Sequence, residues 1–115
     1  MKDIIWLGDA HKVVKGYPIN VRREIGFNLD KIQRGLEPDD WKPMVGIGNG
    51  VKEIRIHEEN EYRVLYVAKF EEAIYALHCF IKKTEQTAKR DLDLARKRFA
   101  EILEMRRVHY EESCY

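Results

Sequence analysis

Three apolar runs between residues 51 and 80 alternate with short polar connections and give the chain its clearest pattern. The runs cover residues 51–57, 62–68 and 73–80 and are rich in Val, Ile, Tyr and Leu, which suit a pleated, half-buried surface. The polar connections that separate them are residues 58–60 and 69–72. We therefore predict an antiparallel meander of three strands.

Side chains alternate between the two faces of a strand, so the apolar positions indicate which faces are covered. In the first run Ile54 and Ile56 lie on one face, whereas the other face is mostly charged. This predicts an outer strand with one side in water. The second and third runs are apolar on both faces except for Arg63 and His78, which is typical of central strands covered on both sides.

Before the meander, the chain has the signals of one strand and two helices. Residues 3–7 form a short apolar run that we expect to join the sheet. Asp9 is predicted to cap a helix over residues 10–15 with its carboxylate. Pro18 suits the first turn of a second helix that Gly35 ends, which gives a helical hairpin against one face of the sheet. The apolar stripe of this second helix consists of Ile19, Val21, Ile25, Leu29 and Ile32.

Residues 36–50 contain two prolines and three glycines and predict a long loop beside the first strand of the meander. After the meander, apolar residues at helical spacing predict a final helix from about Gln86. Residues 108–115 have no clear period, so we expect a tail that is frayed or disordered. The predicted fold is α+β, a single domain over residues 1–107 with a small, mainly antiparallel sheet. The stripe of the final helix consists of Leu92, Ala95, Phe99, Ile102 and Leu103.

The composition fits one small domain, because the chain has 115 residues and 44% hydrophobic content. No apolar run approaches the roughly 20 residues that span a bilayer, and the N-terminal residues lack the pattern of a signal peptide. We therefore expect a cytoplasmic protein without a membrane partner. Cys79 and Cys114 form neither a metal-binding spacing nor a disulfide framework, and we expect both to be reduced.

The net charge of +1, from 21 basic and 20 acidic residues, argues against a surface coated throughout for nucleic acid. Such domains usually have a pI above about 9. The basic residues are nevertheless concentrated between residues 82 and 107. A local basic surface is therefore expected rather than a global one.

Arg63 is the anomaly of the second strand, because a guanidinium cannot be deprotonated and is costly to bury without a partner. One interpretation is an ion pair inside the fold with a glutamate such as Glu53. The other is a cleft in which Arg63 meets Arg55, Lys82 and Lys83 and binds a polyanion. Periodicity alone favours the ion pair, since charge on the exposed face of a sheet is ordinary.

Histidines and aromatic residues offer further candidates. His57 ends the first strand on its polar face and is the histidine best placed for acid or base chemistry. His78 lies among apolar residues and is more typical of a core histidine with one partner. Trp41 in the loop suits stacking on a base, whereas Tyr66 and Tyr75 suit the core. No His, Cys, Asp or Glu spacing matches a metal site, and we expect neither metal nor other cofactor.

Several motifs extend from about Trp6 to Arg107: IIWLGD, IGFNLDKIQRGLEPDDWKPM, GVKEIRI, YRVLYVAKF, AIYALHCFIKKTEQT and DLDLARKR. Together they are similar to the phage-derived Gp49-like branch of the HigB/RelE toxin superfamily. The resemblance implies the RelE-like fold of a compact microbial ribonuclease. It also implies a toxin of a type II toxin–antitoxin pair, which cuts mRNA at the ribosomal A site without a metal and so inhibits translation.

The resemblance implies roles for individual residues and partners. The ribose 2′-hydroxyl would attack the adjacent phosphate, assisted by cations that stabilise the charge on the phosphoryl oxygens. Arg63 would hold the scissile phosphate, and Lys83 would stabilise the transition state. Arg55 matches the arginine of the preceding strand, and His57 beside it remains the acid or base candidate. The RNA-binding candidates are Lys42, Trp41, Lys82 and Lys52.

The partners implied by the resemblance are the ribosome, mRNA and a cognate antitoxin, a helix-turn-helix protein encoded by an adjacent gene. The assembly would be a homodimer or a toxin–antitoxin heterotetramer. The chain departs from the family's strongly basic character, and its last basic position is a lysine, which lacks the bidentate geometry of arginine. Two hypotheses therefore stay open besides the ribonuclease: a protein of the same fold that binds RNA without cutting it, and one that only binds its antitoxin.

Overall fold

The computed structural model describes residues 1–113 and contains one mixed sheet flanked by helices. Within these residues the strands are β1 (Asp3–Trp6), β2 (Trp41–Pro43), β3 (Val51–His57), β4 (Glu61–Val67) and β5 (Ala73–Lys82). The helices are α1 (Ala10–Lys15), α2 (Ile19–Gln33) and α3 (Lys89–Ser113). The predicted α+β fold, with a meander, N-terminal helices and a C-terminal helix, is confirmed.

The strands follow the order β1-β5-β4-β3-β2 across the sheet. β3, β4 and β5 pair antiparallel in chain order, which confirms the meander. β1 pairs parallel with β5, and β2 pairs antiparallel with β3. The prediction of a continuous loop over residues 36–50 is therefore wrong at residues 41–43. A strand of three residues that includes Pro43 carries no periodic pattern, and proline is tolerated there because β2 is an edge strand.

Each face of the sheet carries its own hydrophobic core. On one side α1 and α2 pack against the meander through residues such as Ile25, Ile54 and Val64. On the other side α3 packs against it through residues such as Leu65 and Phe99. We call these sides the α2 face and the α3 face. The central strands β4 and β5 are therefore covered on both faces, as their apolar runs predict.

β3 is not the outer, one-sided strand that its alternation predicts. β2 lies outside it, and Val51 and Glu53 on the α3 face are 1% and 0% exposed. The connection from β2 to β3 adds to this cover, because Ile47 joins the core beneath α3. The last residue of β3, His57, is not covered and is exposed. Charged residues on one face of a strand thus do not guarantee that this face meets water.

The N-terminal helices confirm the predicted boundaries but correct the predicted cap. α1 covers residues 10–15, yet the carboxylate of Asp9 makes no capping hydrogen bond and instead accepts one from Nη2 of Arg98 at 3.0 Å. This satisfies a guanidinium that α3 buries. Pro18 directly precedes α2, and Gly35 follows its end with φ of 81°. The stripe of α2 is buried except for Ile19, which is 52% exposed.

α3 differs from its prediction at both ends. It begins at Lys89 rather than near residue 86, and it continues through residues 108–113, which the pattern assigns to a tail. Salt bridges of Arg107 with Glu104 and Glu111 stabilise the added turns. Residues 114 and 115 lie outside the described residues. Among residues 1–113, no helix combines the length and the apolar character that crossing a membrane requires.

Candidate functional site

The register of the meander gathers charged residues at one end of the α3 face. Arg55 pairs directly with Arg63, His57 with Glu61, and Glu61 in turn with Lys82. Residues opposite each other on neighbouring strands share a face and lie close together. The structure therefore brings together most of the cations that the sequence singles out, beside the candidate histidine.

Arg63 is buried and held by three groups. Its side chain donates from Nη1 to the carbonyl oxygen of Tyr62 at 3.0 Å and from Nη2 to Oε1 of Glu61 at 3.1 Å. Its Nε lies 3.6 Å from Oε1 of Glu53, which is 0% exposed while Arg63 is 3% exposed. The ion-pair interpretation of Arg63 is confirmed. The guanidinium is a fixed charge, held by two hydrogen bonds and by the ion pair with Glu53.

Arg63 also borders an open pocket of about 320 Å³ next to the end of β5. Lys83 is exposed there, directly after β5, and Lys82 is half-buried. The two interpretations of Arg63 are therefore compatible, because the same side chain pairs with Glu53 inside the fold and borders a cleft with the two lysines. The pocket is lined by Glu61, Arg63, Lys82, Lys83, Thr84 and Glu85.

His57 lies between two carboxylates. Its Nε2 is 2.5 Å from Oδ2 of Asp40, and its Nδ1 is 2.6 Å from Oε1 of Glu61. The hydrogen bond with Asp40 raises the pKa of His57, partial desolvation opposes this, and the hydrogen bond with Glu61 raises the pKa further. Since carboxylates only accept, both ring nitrogens donate, and the ring is an imidazolium.

Glu61 links the histidine to the arginine. The same oxygen, Oε1, accepts hydrogen bonds from Nδ1 of His57 and from Nη2 of Arg63. Burial raises the pKa of Glu61, but the hydrogen bonds from Arg63 and His57 outweigh it, so the pKa is lowered. This carboxylate is therefore ionised at neutral pH and is shared between two cations. We call Asp40, Arg55, His57, Glu61, Arg63 and Glu53 the polar network.

The polar network is far less positive than its cations alone suggest. Nη1 of Arg55 lies 4.0 Å from Oδ1 of Asp40. Arg63 is paired with Glu53 and Glu61. Carboxylates therefore neutralise both arginines. The positive charge that faces the pocket comes from Lys82 and Lys83.

The remaining RNA-binding candidates divide between the two faces. Lys42 pairs in register with Glu53 and so lies on the α3 face with the polar network. Trp41 pairs with Ile54 and lies on the α2 face instead. Lys52 alternates to that face as well, where its Nζ lies 4.6 Å from the centre of the Trp41 ring. The register therefore places Trp41 and Lys52 on the face opposite the arginines, and their role in RNA binding stays a prediction.

The interpretation of the apolar-run residues as core residues is confirmed. His78 is 8% exposed, and its Nε2 lies 2.7 Å from Oδ1 of Asp91, which gives the expected single partner. Tyr66 and Tyr75 are buried in the two cores. Cys79 is a free, buried thiol, and burial raises its pKa to about 12, so it is not a nucleophile at neutral pH.

Two residues of the site, Asp40 and Glu61, are missing from the sequence prediction. Glu61 had a detectable signal, because it lies two residues before Arg63 and therefore on the same face of one strand. Asp40 had none, since its place beside Arg55 depends on the pairing of β2 with β3. Among residues 1–113, no group of three or more His, Cys, Asp or Glu side chains is arranged to hold a metal ion.

Comparison with known proteins places the chain in a family. The family model described as Phage derived protein Gp49-like (DUF891) matches residues 12–100. This segment includes most of α1, all of α2 and the meander, and the first half of α3, and so the whole polar network. A search of curated proteins found no match. The chain belongs to the phage-derived Gp49-like family, which is associated with toxins of toxin–antitoxin systems.

Proposed function

We propose that this protein is the toxin of a type II toxin–antitoxin pair and inhibits translation as a metal-independent endoribonuclease that cuts mRNA on the ribosome. One arrangement carries the proposal: Glu61 bonds both the His57 ring and the buried Arg63 guanidinium, and it lines, with Arg63, the pocket that contains Lys82 and Lys83. Membership of the Gp49-like family supports the toxin part. The partners on this proposal are the ribosome, mRNA and a helix-turn-helix antitoxin. The protein would form a homodimer or a toxin–antitoxin heterotetramer.

Cleavage of RNA without a metal requires cations for the phosphate and a proton donor for the leaving oxygen. As the ribose 2′-hydroxyl gives its proton to water and attacks, the P–O5′ bond breaks and negative charge grows on the phosphoryl oxygens. Lys83 with Lys82 lines the pocket in which we place that phosphate. Arg63 provides a fixed charge at the back of that pocket. His57 carries a proton on each ring nitrogen and can donate one to the departing 5′ oxygen.

A second function, binding without cleavage, is supported by the carboxylates of the polar network. Glu53 and Glu61 neutralise Arg63, and Asp40 lies beside Arg55. A site with so little net charge attracts a polyanion less strongly than the bare cations would. On this alternative the protein retains the fold and binds RNA or its antitoxin, with the lysines as the contact.

Cleavage of an mRNA on translating ribosomes separates these functions. Lys83→Ala is the informative variant, since Lys83 is exposed and its loss leaves the core intact. We expect the cleavage rate to fall by about 10²-fold, the usual effect of removing one group that stabilises transition-state charge. Lys97→Ala, at an exposed lysine of α3, is the control and should cleave like the wild type.

The outcomes are distinct. Cleavage by wild type that is lost in Lys83→Ala and retained in Lys97→Ala supports the ribonuclease. Salt-sensitive binding of RNA by wild type without cleavage products supports the binding function instead. Equal cleavage by all three proteins would overturn the role given to the pocket.

A further inference from the structure

His57 and Arg63 form an anion-binding arrangement in which the carboxylate of Glu61 is the bound anion. One carboxylate oxygen lies 2.6 Å from Nδ1 of the His57 imidazolium and 3.1 Å from Nη2 of Arg63. Charge-assisted hydrogen bonds from a ring N–H and a guanidinium are also what a phosphate oxygen would receive at this position. The pocket with Lys82 and Lys83 opens beside it and would provide charge for further oxygens.

We propose that Glu61 is an internal anion that occupies the phosphate position of the site, and that a phosphate group of a polynucleotide binds by displacing it. The inference rests on the function proposed above, because it concerns the regulation of the same pocket. Glu61 then sets the affinity of the site: a phosphate binds only by replacing a contact that the free protein already makes. Intrinsic competition of this kind keeps the free protein in a state of low affinity.

The structure separates a fixed part of this site from a movable part. Arg63 is fixed, since Glu53 and the carbonyl oxygen of Tyr62 hold it in a position that is 3% exposed. Glu61 is the first residue of β4, follows the turn at residues 58–60, and has a side chain that is 43% exposed. Its rotation into water therefore leaves the core unchanged, and Arg63 keeps the partner that balances its charge.

Displacement by a phosphodiester replaces one negative charge with another, so the exchange is favoured by the additional contacts that its oxygens can make. Glu61 offers one negative charge to His57 and Arg63, and the pocket beyond contains the ammonium groups of Lys82 and Lys83. A carboxylate fixed on β4 contacts the first pair of cations, whereas a larger tetrahedral anion extends toward the second pair. The additional contacts favour the exchange, and the lost contacts of Glu61 oppose it.

Binding of inorganic phosphate tests the inference without any cleavage assay. We would follow the ring resonances of His57 and the melting temperature as the phosphate concentration rises, in the wild type, Glu61→Ala and Glu59→Ala. Glu59→Ala is the matched control, because it removes the same charge from an exposed residue of the adjacent turn. We expect Glu61→Ala to bind phosphate about tenfold more tightly than the wild type, and Glu59→Ala to bind it within about twofold.

A second variant identifies the place at which phosphate binds. In Glu61→Ala combined with His57→Gln, the affinity gained should be lost, because one of the two positive charges at the proposed position is gone. If Glu61→Ala binds phosphate no more tightly than Glu59→Ala, or if the double variant retains the gain, the internal-anion proposal is overturned. A gain in phosphate affinity without cleavage of mRNA would support this inference while overturning the ribonuclease, so the two failures are distinguishable.

Discussion

Arg63 and Glu53 form a buried ion pair across neighbouring strands, with 3.6 Å between Nε of Arg63 and Oε1 of Glu53. The two residues are diagonal neighbours, since Arg63 stands opposite Arg55 and Glu53 stands opposite Leu65. Neither carboxylate oxygen of Glu53 has a hydrogen-bond partner in the described structure. The ion pair with Arg63 is therefore what offsets the cost of burying this carboxylate. The charge that borders the pocket is therefore anchored from within the fold, and Arg63 serves stability and the site together.

Removal of Glu53 should destabilise the protein strongly. Glu53→Ala leaves the guanidinium of Arg63 buried with only the shared carboxylate of Glu61 and one carbonyl oxygen. We expect a loss of about 3–5 kcal/mol in the free energy of unfolding, the usual cost of breaking a buried pair from one side. Urea unfolding followed by circular dichroism measures it, with Glu59→Ala as the exposed control.

The double variant Glu53→Leu with Arg63→Met distinguishes the loss of the ion pair from a packing defect at the same positions. Because both charges are absent, we expect it to recover most of the stability lost in Glu53→Ala. A double variant as unstable as Glu53→Ala would contradict the ion-pair explanation and indicate a packing defect instead. The same variant is a better test of Arg63 in cleavage than Arg63→Ala, which would leave Glu53 buried without a partner.

The glycines between β2 and β3 should differ sharply in their tolerance of a methyl group. A Cβ at Gly48 would lie 2.4 Å from ring atoms of Phe99, whereas a Cβ at Gly46 would meet nothing within 4 Å. Phe99 is a buried residue of the core beneath α3. We expect Gly48→Ala to lose about 1–3 kcal/mol of unfolding free energy, the cost of overpacking. Gly46→Ala is the control and should stay within about 0.5 kcal/mol of the wild type; equal losses would contradict the close contact.

Cys79 should report on opening of the core. The thiol is buried and burial raises its pKa to about 12, so a thiol reagent can modify it only when the structure opens. In a Cys114→Ser background, which leaves Cys79 as the single thiol, we expect labelling to be undetectable in buffer and complete in denaturant. The labelling rate should be higher in Glu53→Ala, and its logarithm should rise in proportion to the unfolding free energy that the variant loses. Rapid labelling of the wild-type protein in buffer would contradict the described burial.

The fold was largely predictable because its elements carry strong periodic signals. The apolar runs and the polar connections between them located β3, β4 and β5. α1 has the predicted bounds, and most of the α2 stripe lies where helical spacing places it. β2 was not predictable, because its identity as a strand comes from pairing with β3. The burial of Glu53 was missed for a related reason: alternation shows which residues share a face, but not what lies over that face.

The cations and the histidine of the polar network were singled out from the sequence, whereas the carboxylates Asp40 and Glu61 that neutralise them were not. Period-two spacing puts Arg55 and His57 on one face of β3, and the turn at residues 58–60 sets the register that aligns them with Arg63 and Glu61. The pairing of carboxylates with these cations depends on side-chain geometry that spacing does not encode. Trp41 and Lys42 are neighbours in the sequence, yet they point to different faces because they lie in a strand rather than in a loop.

The stability of the protein should depend on pH through His57. The hydrogen bond with Asp40 raises the pKa of His57, desolvation opposes this, and Glu61 adds to the rise. The stabilisation by the imidazolium is therefore fully present below about pH 6.5, the ordinary histidine pKa, and is lost as the pH rises through the folded-state pKa. Since the side chain of His57 is 48% exposed, solvent screening holds the effect to about 1 kcal/mol or less.

Urea unfolding of the wild type and His57→Gln at a series of pH values measures this effect. The difference in unfolding free energy should be largest below about pH 6.5 and should decline as the pH rises through the raised folded-state pKa of His57. In an Asp40→Asn background the pH-dependent part should shrink, because the hydrogen bond that contributes most to the shift is weakened. A difference between wild type and His57→Gln that is constant over this range would mean that His57 does not carry the charge assigned to it, and would remove the proton donor from the proposed cleavage.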